Sequence, residues 1–83
     1  TIEEYYELED GFVHVKFKVN ENFTPIKIKE VKSIVKFEVL VALIIRGDIA
    51  ILPDGEAEIQ PNDTLYVIGK HAKVVKFESY VNG

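Results

Sequence analysis

The stretch that decides the fold runs from Leu52 to Lys70, "LPDGEAEIQPNDTLYVIGK". Pro53 cannot donate to a strand ladder and so closes the apolar run before it. Asp54-Gly55 is turn chemistry. Pro61-Asn62-Asp63 then turns the chain again, just before the apolar run Leu65 to Ile68 that ends at Gly69. Two turns so close together, with no reactive side-chain set between them, suit a non-catalytic module better than an enzyme.

Working upstream, "VLVALII" (39–45) has no alternation and is rich in β-branched residues, which predicts a central strand covered on both faces. Arg46-Gly47-Asp48 punctuates it and Ile49 to Leu52 returns, giving a hairpin. The same tripeptide spells a cell-adhesion motif, but in an acidic chain with no cysteine and no secretion signal it reads as a turn. Arg46 is the only arginine and reads as a solvated turn residue.

Downstream, Thr64 to Ile68 makes the last strand. Val74, Phe77 and Val81 then recur at helical spacing on a closing helix from about His71 to Tyr80. Toward the N-terminus, Val13, Val15, Phe17 and Val19 alternate with His14, Lys16 and Lys18, the pattern of a strand with one wet face. Asp10-Gly11 supplies a tight turn back to an earlier segment in which Tyr6 and Leu8 alternate with Glu7 and Glu9. Between these elements, Asn20 to Asn22 is a polar break. Thr24 can then cap a helix with Pro25 in its first turn, and Ile28, Val31, Ile34 and Val35 recur at helical spacing over residues 25 to 36. The expected fold is an α+β domain of βαβββα type, a mixed or antiparallel sheet with two helices. Residues 1–11 form an N-terminal segment that could add one strand, and residues 12–83 form the domain proper.

Composition narrows the function. A chain of 83 residues buries only about 60% of its unfolded surface. With no cysteine it has no disulfide and no thiolate metal site, so packing or oligomerisation must stabilise it, and a homodimer is expected. The net charge of −4 argues against nucleic acid, because lysines alternate with glutamates and do not cluster. No apolar stretch reaches the roughly 18 residues of a membrane span, so a soluble, cytoplasmic protein without membrane insertion is expected. The absence of methionine, with Thr1 first, suggests a piece of a longer protein.

Catalytic equipment is lacking. His14 lies on the polar face of a strand, His71 stands apart from any other metal-ligand type, and both read as solvated. Glu3, Glu4, Glu7, Glu9 and Asp10 form an acidic run of the kind that is normally solvated. No phosphate-cradling glycine motif occurs, and neither Ser33 nor Ser79 has a base beside it. No catalytic residue, metal ligand or cofactor is assigned.

The ordered set Ile45, Arg46, Gly47, then Ile51, Leu52, Pro53, then Pro61, Asn62, Asp63, Leu65, Val67 and Gly69 resembles the C-terminal domain of regulators of potassium conductance, the TrkA-C family. That family typically reads as an apolar strand into Arg-Gly, a return strand ending in Pro, an acidic segment, and Pro-Gly-Asp-x-Leu-x-Val-x-Gly. Arg46, Gly47, Pro53, Pro61, Asp63 and Gly69 are its structural turn motif here. Asn62 stands at a family glycine, and asparagine tolerates the left-handed conformation that the turn needs. Asp63 is expected to accept hydrogen bonds from its own turn's amides.

The resemblance implies a cytoplasmic, dimeric, ligand-sensing regulatory domain. Its partners would be a Rossmann-type nucleotide-binding domain and a membrane subunit of a potassium or related cation transport system. In one branch the ligand is cyclic di-AMP, held where the first helix joins the central strand by a pattern resembling Asp-Ile-Arg followed by Ala-x-Tyr-Gly. Here Lys32-Ser33-Ile34 and Val35-Lys36-Phe37-Glu38 fall at those positions. Only Phe37 and the apolar character carry over and the arginine has no counterpart, so the resemblance does not bring the cyclic dinucleotide with it. The candidate ligand residues are Lys32, Ile34, Lys36 and Phe37, where cationic stems and apolar groups converge beside a helix end. The alternative is a purely structural interaction module without a ligand, using the exposed edge of strand "FVHVKFKV" (12–19) to pair with a partner.

Overall fold

Val13, Val15, Phe17 and Val19 are all buried while His14 and Lys16 between them are half-exposed, so the period-two reading of this strand holds. The computed structural model describes residues 2–31 and 36–83. Its elements are β1 (Ile2–Glu7), β2 (Phe12–Lys18), β3 (Ile26–Lys27), a single 3-10 turn (Ile28–Glu30), β4 (Leu40–Arg46), β5 (Ile49–Ile51), β6 (Glu58–Ile59), β7 (Thr64–Lys70) and helix α1 (His71–Asn82). Five strands form one sheet in the order β1-β2-β7-β4-β5, and β3 pairs with β6 as a separate ribbon. Every pairing is antiparallel.

The turns behave as their residues require. Asp10 (φ 55°) and Gly11 (φ 76°) are both left-handed, the geometry that matches the twist of the strands they join. Gly47 (φ 64°) and Asp48 connect Arg46 to its partner Ile49. The extra N-terminal strand exists, although it stops at Glu7 and leaves Leu8 outside.

α1 lies across β2 and β7 and buries Val74, Phe77 and Val81 against them. Phe77 meets Phe17 edge to face at 6.2 Å between ring centres. Together with Ile44, Ile59, Leu65 and Val67 these residues make one continuous core.

Three expectations need correction. First, residues 25–31 are not α-helical: Ile26–Lys27 is a strand and Ile28–Glu30 only a 3-10 turn. "IKIK" alternates with period two as well as offering helical spacing, and strand bonding prevails because the Ile28 amide donates to the Ala57 carbonyl at 2.9 Å and the Lys29 amide to the Gly55 carbonyl at 3.0 Å. Lys36 and Phe37 are helical, and the rest of that predicted helix lies outside the described residues. Among the described residues α1 is thus the one α-helix with defined ends, where two were expected.

Second, β2 is not an edge. It sits between β1 and β7, and the edges are β1 and β5. A β1 hydrogen-bonded to β2 takes away the free ladder that pairing with a partner strand would need.

Third, β4 is fully covered on one face and only partly on the other. A bulge at Ala42 shifts its register on β7, so Val41 and Ile44 point to the core while Leu40 is 59% exposed on the opposite face. His14, Tyr66 and Ile68 share that outer face, with His14 and Tyr66 rings 5.5 Å apart.

Candidate functional site

Arg46 ends β4 and Asp63 ends the turn into β7, and the fold brings these two motif residues together. Arg46 Nε donates to Asp63 Oδ1 at 2.9 Å, and Nη2 donates to Asp63 Oδ2 at 2.9 Å. Nη2 also donates to the Glu58 carbonyl at 2.9 Å, and the Gln60 amide donates to Asp63 Oδ2 at 2.9 Å. The turn thus uses Asp63 as expected, whereas Arg46 is no solvated turn residue. A carboxylate only 1% exposed needs a charged partner with two parallel donors, and a planar guanidinium supplies them.

The hydrogen bond to Asp63, chiefly, and the carboxylate's charge raise the Arg46 pKa above the ordinary arginine value, with burial opposing. A folded-state value raised in this way gives stability that is complete below the ordinary arginine pKa and is lost only above it. The arginine side of the pair therefore holds throughout neutral and mildly alkaline pH. Asn62 adopts φ 68°, the left-handed geometry its place in the motif requires.

Of the remaining motif residues, Gly69 packs against the residues that follow the candidate ligand segment. On its upstream side β3 is bonded to β6, whose Glu58 carbonyl Arg46 holds. Asp54 closes the preceding turn by accepting from the Glu56 and Ala57 amides at 2.9 and 3.1 Å. On its downstream side Glu38 and Val39 lead into β4 over Gly69. A Cβ added at Gly69 would stand 3.0 Å from Val39 Cγ1 and 3.2 Å from Val74 Cγ2, so only glycine lets strand, segment and helix approach this closely. Glu38 itself has φ 57°, a left-handed conformation that favours glycine.

Of the four predicted ligand residues, Phe37 is half-buried with its ring 6.3 Å from Phe77 and 6.2 Å from Tyr80, and Lys36 is exposed beside it. Lys32 and Ile34 lie outside the described residues. Tyr80 also borders a groove of about 400 Å³ lined by Asn20, Asn22, Phe23, Thr24 and Asn82. Asn82 fixes one wall, accepting from the Asn20 amide at 2.7 Å and donating to the Lys18 carbonyl at 2.8 Å. Sequence reasoning missed this groove because its residues come from a loop and a helix end far apart in the chain, and no local pattern links them. His71, read as solvated, accepts or donates through Nδ1 with the Tyr5 hydroxyl at 2.8 Å, tying β1 to the start of α1. His14, also read as solvated, is half-buried between the Tyr6 and Tyr66 rings. Among the described residues no three His, Asp or Glu side chains group closely enough to hold a metal ion.

Matched against protein families, residues 13–82 fit the model of the TrkA-C domain. The chain belongs to the TrkA-C family. Among solved structures, this TrkA-C domain is similar to the RCK C domain of the potassium transport protein KtrA in complex with cyclic di-AMP. The TM-score is 0.72 at 22% identity, covering 82% of this chain and 81% of that one. None of the curated proteins matches it. No helix of the TrkA-C domain among its described residues is long and apolar enough to cross a membrane.

Proposed function

We propose that this TrkA-C domain is a cytoplasmic, ligand-sensing and dimerising regulatory domain of a potassium or related cation transport system. The observation that carries the reading is the family match over residues 13–82, supported by the shared fold of a KtrA domain whose structure holds a cyclic dinucleotide. The ligand would sit against Phe37 and Tyr80, with the Lys36 ammonium meeting an anionic group and the rings offering a flat apolar wall. The missing arginine argues for a ligand gripped less rigidly than one held by a bidentate fork.

Dimerisation would cover apolar side chains that one chain leaves in water, notably Leu40 and Leu52, the latter 83% exposed. A Rossmann-type domain and a transporter subunit would be the further partners, and no catalytic role is assigned.

A thermal-shift panel containing cyclic di-AMP, mononucleotides and simple anions tests the ligand. A probe at 100 times its Kd should add about 2.7 kcal/mol of stability and raise Tm by roughly 10–20 °C, and Phe37→Ala should abolish that rise. Silence across the panel removes sensing and leaves assembly as the role, which the exposed Leu40 and Leu52 favour as the second reading. Sedimentation showing a strict monomer at tens of micromolar would remove the dimer from both.

A further inference from the structure

We propose that the groove between the 20–24 loop and the end of α1 is a binding site for an uncharged, polyhydroxylated ring, either a free sugar or the ribose of a nucleoside. Its volume of about 400 Å³ lies within the roughly 300–1,000 Å³ of small-ligand sites. Charged residues make up 29% of the chain, yet no side chain lining the groove is charged. An ionic ligand would lose water there without meeting a counter-charge. Three of the four asparagines gather in it instead, Asn20, Asn22 and Asn82. A side-chain amide both donates and accepts, and so does the hydroxyl of Thr24. That set matches the hydroxyl groups of a sugar and the charge of neither an acid nor an amine.

The walls are held in place before anything binds. Asn82 Oδ1 accepts from the Asn20 amide at 2.7 Å, and its Nδ2 donates to the Lys18 carbonyl at 2.8 Å and to Glu78 Oε2 at 3.1 Å. Asn20 in turn closes the loop, its Oδ1 accepting from the Asn22 amide at 2.8 Å and its carbonyl from the Phe23 amide at 3.0 Å. Asn20 and Asn82 thus build the site, while Asn22 and Thr24 stand exposed to meet a ligand. Phe23, half-buried against the core, and Tyr80, 45% exposed, supply apolar surface for the C–H face of a sugar ring. Walls fixed in advance lower the ordering cost of binding. The site goes beyond the function proposed above and does not rest on it, since it uses no cation and shares only Tyr80 with the Lys36 and Phe37 wall.

The test is titration of the domain with glucose, with adenosine and with glucuronate, followed residue by residue through its amide NMR signals. Glucose or adenosine should shift the amides of residues 20–24 and 80–82 and saturate in the millimolar range, and whichever binds names the source of the ring. Glucuronate, a sugar carrying a carboxylate, should bind no more tightly than glucose. Asn22→Ala keeps the backbone bond to Asn20 and so leaves the fold intact. It should weaken binding about tenfold, the loss of one or two hydrogen bonds. Tyr80→Ala should weaken it at least as much, and Lys36→Ala should leave it unchanged. No saturable shift at 20–24 with either neutral probe, tighter binding of glucuronate than of glucose, or an Asn22→Ala variant that binds as well as the unsubstituted domain would each overturn the proposal. Loss of binding in Lys36→Ala would overturn it too, by moving the ligand to the wall described above, whereas silence of the nucleotide panel at that wall leaves the groove result standing.

Discussion

The five-stranded sheet and the β3–β6 ribbon are held by different physics. In the sheet, β2, β4 and β7 are seven residues long and each buries a row of side chains against α1 or the core. Register there follows from side-chain alternation, since a slip of one residue would carry every buried group into water. The ribbon buries Ile59 fully and Ile26 and the adjoining Ile28 in part, and adds polar contacts: Asp54 on its turn, Asp63 and Arg46 on its far end, and the Lys27 and Lys29 ammonium groups on Glu56. The lysine pairs are exposed and add little. The lesson is that a short ribbon gains a fixed position from a few buried or charge-assisted contacts, where a long strand gains it from many weak ones. Regions of the first kind open most easily.

The largest effect should come from breaking the sheet side. Phe77→Ala removes a fully buried ring that meets Phe17, Phe37 and Tyr80, at a cost of about 3–5 kcal/mol. A domain of 83 residues has roughly 4–12 kcal/mol in total, so urea unfolding should show sheet and ribbon lost together at a much lower midpoint. Next comes the junction between the two regions. Gly69→Ala drives a methyl against Val39 and Val74 and should cost about 1–3 kcal/mol, read as a lowered Tm by circular dichroism. The smallest effect isolates the ribbon: Asp54→Ala removes the acceptor for the Glu56 and Ala57 amides, at about 1 kcal/mol, and should speed exchange at 54–59 while β2 and β7 keep their protection. If Asp54→Ala instead loosens the whole sheet equally, the contrast between the two regions is wrong.

Legibility in the sequence followed the same division. The strand over 12–19, a last strand from Thr64 to Ile68 that in fact runs on to Lys70, the turns at Asp10-Gly11 and Gly47-Asp48, and the buried stripe of α1 were all visible, because each depends on neighbours in the chain. "IKIKEV" was misread because helix and strand periods both fit so short a run, and the competing partner, residues 54–59, lies distant in sequence. Phe37 is a candidate ligand residue only through the family resemblance. Its partners Phe77 and Tyr80 were legible only as helix residues, and the asparagine-lined groove not at all.

By itself the sequence determined the long strands, the left-handed turns at Asp10-Gly11 and Asn62, and that the Arg-Gly and Pro-Asn-Asp motifs belong to one family pattern. Only the tertiary structure decided that Arg46 closes on Asp63, that β2 is interior, and that Leu40 of β4 is left exposed. The reason is that alternation and turn geometry are properties of adjacent residues. An ion pair between residues 46 and 63, or a strand's place in a sheet, depends on which distant segments pack side by side.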